Sequence, residues 1–306
     1  MKKYCTCPGS YDINLLLAIL LFSVIIGNMD QSLTTQKKLV KLKNIIGDLS
    51  SVVVAYSGGV DSTFLAKVSV DVLGKKRVLA ATATSSTYPK AEYKDAKEFA
   101  GSLGIPWMHF ISEELNIKGF KDNSPLRCYF CKKELFGKLL KIAKEKRFSS
   151  VIDGSNFDDL KDFRPGMKAL TELNIISPIK LAGLSKEEVR ILSRRLGIPS
   201  WHKPSFACLS SRFPYGEKIT VEKLSRVEKA ESFLKQYNLK QLRIRSIQDT
   251  ARIELDPRDF KKIFKDHKKI VQKLKQIGYV YISLDLEGYR TGSMNEVLGK
   301  KEKRIK

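Results

Sequence analysis

Val52-Val-Val-Ala-Tyr-Ser-Gly-Gly-Val-Asp-Ser-Thr63 is the stretch that decides the fold. Its first half is a β-branched run that reads as a buried strand over Ser51 to Tyr56, and its second half is a glycine turn opening a helix from about Thr63 to Leu73, closed by Gly74. A strand that enters a helix through such a turn brings free N–H groups and the positive end of the helix dipole to one spot, where an anion can sit. Gly58 and Gly59 let the backbone approach that anion closely, and Ser57, Ser62 and Thr63 add hydroxyl donors. Together they make a pyrophosphate cradle. It is not a Walker loop, because no Lys-Ser or Lys-Thr ends it, and the Gly-x-Gly-x-x-Gly of dinucleotide-binding folds is also absent. A plain strand-to-helix turn capped by Ser and Asp is the competing explanation, and the complete string directly after a β-branched strand weighs against it.

On either side of the loop the pattern repeats. Gln36 to Ile46 carries apolar residues at helical spacing, and beyond the loop come Val78 to Thr82 as strand, Lys90 to Leu103 as helix, Trp107 to Ile111 as strand, Lys133 to Lys146 as helix and Val151 to Asp153 as strand. Strands alternating with helices predict an α/β fold with a parallel sheet, whose ligands bind at the carboxyl ends of the strands. Ser185 with Glu188 three residues on is a capping box opening a helix that ends at Gly197. Past a stretch rich in Pro, Ser and Gly the order changes to helix (Val221 to Tyr237), two strands (Gln241 to Ile247, Ala251 to Leu255), helix (Pro257 to Ile277) and strand (Tyr279 to Leu284), a smaller α+β domain. The expected division is therefore an apolar leader or a start assigned upstream of Met29 over 1–28, a nucleotide domain over 29–215 and a substrate or oligomerisation domain over 216–306. The apolar run from Ile13 to Gly27 inside the first segment is short for a bilayer span, and Cys5 and Cys7 belong to it.

The 306 residues are 42% hydrophobic and 29% charged, as in a folded protein able to bury two cores. A formal charge of +23 favours an anionic partner such as a nucleotide, a phosphorylated substrate or RNA without choosing among them, and much of the lysine lies on helical faces that water alone would satisfy. Five cysteines are too few and odd in number for a disulfide-stapled secreted fold. Cys128-Tyr-Phe-Cys131 is a CxxC, and Cys208 stands alone in a remote loop. Such a set can hold three irons of a [4Fe–4S] cluster and leave the fourth open; it also admits zinc with a histidine, or a redox thiol pair that leaves Cys208 unexplained.

The loop places the chain among sequences that resemble the PP-loop (adenine nucleotide alpha hydrolase-like) ATP pyrophosphatases. That resemblance implies adenylation of a substrate oxygen with release of pyrophosphate, and puts Asp61 near the phosphates and Mg²⁺. Five further strings sharpen it: Arg127-Cys-Tyr-Phe-Cys-Lys-Lys-Glu-Leu-Phe136, Asp153-Gly-Ser-Asn-Phe-Asp-Asp159, Asp162-Phe-Arg-Pro-Gly166, Lys203-Pro-Ser-Phe-Ala-Cys-Leu-Ser-Ser-Arg-Phe-Pro-Tyr-Gly216 and Leu284-Asp-Leu-Glu-Gly-Tyr-Arg-Thr-Gly-Ser-Met-Asn295. In collinear order from about Lys37 to Asn295 these are similar to the LarE family of pyridinium-3,5-biscarboxylic acid mononucleotide sulfurtransferases, which serve nickel-pincer nucleotide biosynthesis. The resemblance implies that ATP adenylates a substrate carboxylate and that sulfur then displaces AMP to give a thiocarboxylate. Some members give up the sulfur of the cysteine matching Cys208; others keep three cysteines and a [4Fe–4S] cluster that carries an extra sulfide. Cys128 and Cys131 beside Cys208 match the second kind, so these cysteines are expected as ligands.

The same resemblance makes Arg243, Arg245 and Arg290 candidates for the substrate phosphate and Glu231 and Glu254 candidates for metal ions, with a surface ion pair as the competing explanation for each of these and for Arg212. Arg212, four residues after Cys208, is expected near the sulfur site as a bidentate anion binder. Asp153, Asp158 and Asp159 crowd a loop after a strand. The expected partners are the pyridinium mononucleotide, ATP with Mg²⁺, and sulfide or another sulfur donor, in a cytoplasmic enzyme without a stable membrane partner. Family members also form hexamers, so a homo-oligomer is expected. A tRNA thiolase shares the loop, the cluster and adenylation, but no appended RNA-binding module or second CxxC is visible. A non-catalytic ATP or AMP sensor keeps the loop and has no need of the cysteines.

Overall fold

The computed structural model describes residues 33–161, 165–204, 207–239, 241–290 and 292–299. The apolar segment before Met29, with Cys5 and Cys7, lies outside them, as do parts of the strings around Arg164, Phe206 and Thr291. No helix among the described residues is long and apolar enough to cross a membrane.

The first unit is a doubly wound parallel sheet. Helix α1 (residues 33–47) precedes strand β1 (Val52–Ala55), and α2 (Val60–Leu73), β2 (Val78–Thr84), α3 (Lys90–Ser102) and β3 (Trp107–Ile111) follow in strict alternation. Next come the short α4 (Lys118–Lys121), the long α5 (Arg127–Glu145), β4 (Ser150–Ile152), α6 (Gly166–Glu172), α7 (Pro178–Leu181) and α8 (Lys186–Arg195). The strand order is β3-β2-β1-β4, all parallel, with Val53 opposite Leu79 on one side and Val151 on the other. The chain therefore winds outward from β1 in both directions. The switch point lies between β1 and β4, where such sheets open a crevice at their carboxyl ends.

Strand alternation divides the core. Val52 and Val54 pack with Leu42, Ile46, Phe64, Leu65 and Leu192, whereas Val53 packs on the opposite face with Phe136, Leu139, Val151 and Leu170. Buried on nearly all sides, α2 is the central helix; Phe64, Leu65 and Ala66 have no exposure. Burying side chains of this size stabilises by about 1.5–3 kcal/mol each relative to leaving them exposed, so β1 and α2 cannot shift without loss of the core.

The second unit has helix α9 (Val221–Lys235) packed on a three-stranded sheet of β5 (Leu242–Ile247), β6 (Thr250–Leu255) and β7 (Tyr281–Leu284), with α10 (Phe260–Lys265) and α11 (His267–Ile277) between the last two strands. Strands β5 and β6 form an antiparallel hairpin, and β7 joins β6 in parallel. Ala230, Leu234, Ile244, Ile253, Leu255, Ile270 and Leu274 form its core. A smaller cluster spans residue 215, bringing Phe120, Leu209 and Phe213 against Ile219, Leu224 and Val227.

Most element ends lie within three residues of the sequence expectation, and two differences are larger. Helix α5 begins at Arg127, six residues before the start at Lys133 that periodicity gives, so the CxxC occupies its opening turns. The single helix expected over Pro257 to Ile277 breaks at Asp266, which caps α11 with non-helical backbone; Asp followed by His is a weak helix-forming pair that favours a cap.

Candidate active site

The crevice at the switch point is a cavity of about 600 Å³, and the loop after β1 forms its floor. Gly58 has φ of +65°, and a Cβ there would sit 2.7 Å from the Cα of Ala96 on α3, so only glycine fits. Gly59 is extended and caps α2. Ser62 locks the turn, its Oγ accepting from the Ser57 N–H at 3.2 Å and lying 3.1 Å from Ser57 Oγ, while Tyr88 donates to the Ser57 carbonyl at 2.9 Å. The first-turn N–H groups of α2 have no intrahelical acceptors and face this pre-shaped loop.

Beside them Asp61 makes an ion pair with Lys186, the first residue of α8. Burial pushes the Asp61 carboxyl above its usual value, Lys186 opposes that shift and Asp159 adds to it. Asp61 Oδ1 is buried and makes no hydrogen bond of good geometry, although the Asn156 side chain is near enough to lower the carboxyl's pKa. The expected capping box is present: Ser185 Oγ accepts from the Glu188 N–H while Glu188 accepts from the Ser185 N–H at 2.8 Å. Asp158 receives the Lys186 N–H at 2.9 Å, and Asp159 receives the Asn156 N–H at 3.0 Å. On the opposite wall Asp153 accepts from Ser155 and Ser177, each at 2.5 Å, with Lys132 Nζ at 3.8 Å. Gly154 follows β4, and a Cβ there would come within 3.1 Å of the Ser62 nitrogen.

Cys131 and Cys208 line the same cavity as Ser57, Gly59, Asp61 and Ser62. Cys128 and Cys131 lie three residues apart in the opening turns of α5 and so share a face; Cys208 caps the short 3-10 segment Leu209–Arg212. Cys208 is half-buried and Cys128 exposed. Burial pushes the Cys131 thiol well up, and Cys208, Glu114, Cys128 and Glu134 all act in the same direction. Arg127 ties α5 to the Cys208 loop by donating to the Ser210 carbonyl at 3.0 Å, and its charge is felt by both Cys208 and Cys128. Among the described residues no three His, Cys, Asp or Glu side chains stand together as ligands of a single metal ion. His202, the histidine considered for zinc, is exposed and packs edge-on against Trp201.

Other expected site residues stand apart. Thr63 is fully buried and, like Gly58, does not line the cavity. Arg212 is 1% exposed and each of its nitrogens has a partner, Glu231 at 2.8 and 2.9 Å and the Ala207 and Cys208 carbonyls at 2.7 and 3.1 Å. These bonds anchor the cysteine loop from below. Arg245 donates to Glu254 at 2.8 Å and to the Ser211 carbonyl at 2.6 Å. Glu231 and Glu254, the expected metal carboxylates, are thus each paired with a buried arginine. Arg243 stacks on Tyr289, and Arg290 joins surface pairs with Glu287 and Glu296. Sequence reasoning missed Lys132 and Lys186; the second follows directly on the capping serine, and a helix start beside a phosphate loop is the signal that marks it.

Similarity to known proteins bears on this geometry. A family model described as NAD synthase matches residues 34–123, which hold the loop and strands β1 to β3. A pyridinium-3,5-bisthiocarboxylic acid mononucleotide synthase of Lactiplantibacillus plantarum is 34% identical over 87% of the chain and 97% of its own length. An uncharacterised protein of Synechocystis is 45% identical over 87% of the chain and 99% of its length, and one of Methanocaldococcus jannaschii 32% identical over 83% and 98%.

Proposed function

Because the chain belongs to the family of the pyridinium-3,5-bisthiocarboxylic acid mononucleotide synthases, we propose that it adenylates a carboxylate of a pyridinium dicarboxylate mononucleotide and replaces the activated oxygen with sulfur. The observation that carries this reading is the shared cavity: the phosphate loop and the thiols of Cys131 and Cys208 open into one space. An adenylating enzyme without sulfur chemistry has no use for that proximity.

The first half-reaction needs a phosphate grip. ATP lies with its phosphates over Ser57 to Ser62, and the substrate carboxylate oxygen attacks the α-phosphorus, releasing pyrophosphate. The N–H groups of α2 and the two serine hydroxyls stabilise the charge that moves onto the leaving group. Asp61 suits Mg²⁺, since its Oδ1, without a hydrogen bond of good geometry, supplies the single carboxylate that a phosphate-bound Mg²⁺ takes; the ion would neutralise phosphate charge there. In the second half-reaction a sulfur nucleophile attacks the acyl carbon and AMP leaves, giving the thiocarboxylate.

The sulfur end of the cavity carries the finer part of the proposal. Three thiols on two elements, with Cys208 near enough to act on the titration of both Cys128 and Cys131, form a soft donor set. By its thiolate chemistry such a set suits the iron ligands of a [4Fe–4S] cluster, with Cys128, Cys131 and Cys208 as the ligands. Such a cluster would supply a bound sulfide as nucleophile. Arg127 and Arg212 keep Cys208 facing the cavity through the carbonyls of residues 207 to 210.

Substrate labelled with heavy oxygen in its carboxylates tests the adenylation step. One labelled oxygen per turnover is expected in AMP; label that stays in the substrate, or passes to pyrophosphate, contradicts attack by the carboxylate on the α-phosphorus.

A further inference from the structure

The ion pair between Lys186 and Asp61 sits where the nucleotide reading needs both groups for other work. Asp61 is half-buried, and Lys186 is the cation paired with it. Yet Asp61 Oδ1 remains without a hydrogen bond of good geometry beside the phosphate loop. Lys186 lines the same cavity as Ser57, Gly59 and Ser62, and its side chain is 26% exposed, so it has room to move.

Its backbone does not share that freedom. The reciprocal cap of Ser185 and Glu188 and the Asp158 carboxylate fix the first turn of α8, and Glu188 is held in turn by Lys38 at 2.8 Å and Thr35 at 3.1 Å on α1. A rigid helix start thus presents one long flexible cation to a carboxylate and an anion cradle at once. A divalent cation interacts more strongly than an ammonium with a half-buried carboxylate, and a polyphosphate is a stronger partner for an ammonium than one carboxylate.

We propose that Lys186 is the exchangeable counter-ion of this site: it holds Asp61 before nucleotide arrives, yields that carboxylate to the divalent cation accompanying ATP, and swings onto the β- and γ-phosphates that leave as pyrophosphate. The proposal rests on the nucleotide half of the function above and is independent of the sulfur half. It gives the lysine two measurable effects. Before ATP binds it suppresses idle metal capture by Asp61, and afterwards it strengthens the grip on the polyphosphate.

Two titrations of the full chain test it, neither needing catalysis. Free Mn²⁺ is followed by its paramagnetic resonance without nucleotide, and Mg–ATP binding by calorimetry, for the wild type and Lys186→Met. One charge-assisted hydrogen bond to phosphate corresponds to a factor of about ten or more. Lys186→Met is therefore expected to bind Mn²⁺ at least about tenfold more tightly and Mg–ATP at least about tenfold more weakly. Lys186→Gln gives the same two readouts if the methionine variant does not fold. Either constant staying within about twofold of wild type, less than one such bond, overturns the exchange. A wild type that binds no Mg–ATP would instead sink the nucleotide reading itself, which keeps the two failures apart.

Discussion

At the residue scale, burial decides what each charged group can do. Arg212 and Glu231 are both in the interior, joined by two hydrogen bonds, and sit between the cysteine loop and the second sheet. Burial alone would push the Glu231 carboxyl up; Arg212, with Arg243 and the Ile244 N–H, outweighs it and holds the carboxyl below the usual glutamate range. A carboxyl lowered in this way stabilises the fold above its unfolded value, and that contribution is lost as pH falls through the lowered one. Removing the cation as Arg212→Met leaves a buried unpaired carboxylate, at a cost of about 3–5 kcal/mol near neutral pH in urea unfolding. The deficit should shrink as pH drops below the ordinary glutamate value and Glu231 takes up a proton; a deficit independent of pH would contradict the pairing. The sequence pointed to Arg212 as a residue close to Cys208. That its guanidinium is buried against a carboxylate required Glu231, 19 positions away on another helix.

At the element scale, the sheet was legible and the helix starts were less so. Each parallel strand is a short apolar run between turn residues, and β1 to β4 lie where those runs place them. The start of α5 was not legible, because Cys128-Tyr-Phe-Cys131 carries no amphipathic period of its own and is drawn into the helix by the buried face of Phe136, Leu139 and Ala143 further along. The partnership of Asp61 with Lys186 crosses 125 residues, and only the docking of α8 beside α2 creates it. The close contact between the end of β4 and the first turn of α2 makes a direct test. A Cβ on Gly154 would lie 3.1 Å from the Ser62 nitrogen and 3.2 Å from the Asp61 carbonyl carbon, tighter than ordinary packing. Gly154→Ala is expected to displace the loop and weaken ATP binding about tenfold or more, with a thermal midpoint lowered by only a few degrees, as for about 1 kcal/mol of overpacking. Unchanged ATP affinity would show that the loop does not depend on β4.

At the scale of the whole molecule, two units divide the work. The doubly wound sheet supplies the crevice and the phosphate loop, and the second unit reaches back through Arg245 to Ser211 and through Glu231 to Arg212, fixing the segment that carries Cys208. The composition could not give this coupling: a charge of +23 announces anionic partners but not where the cations face, and several of the most suggestive arginines are turned inward. The central claim is that the shared cavity moves sulfur onto an activated carboxylate while its cysteines stay intact. Mass spectrometry of one anaerobic incubation with the pyridinium dicarboxylate mononucleotide, unmodified tRNA, Mg–ATP and isotopically heavy sulfide tests this most directly. Heavy sulfur in place of a carboxylate oxygen of the mononucleotide, with an unaltered Cys208 peptide, is the expected result. Sulfur found on the tRNA alone, or a Cys208 converted to dehydroalanine, would contradict it.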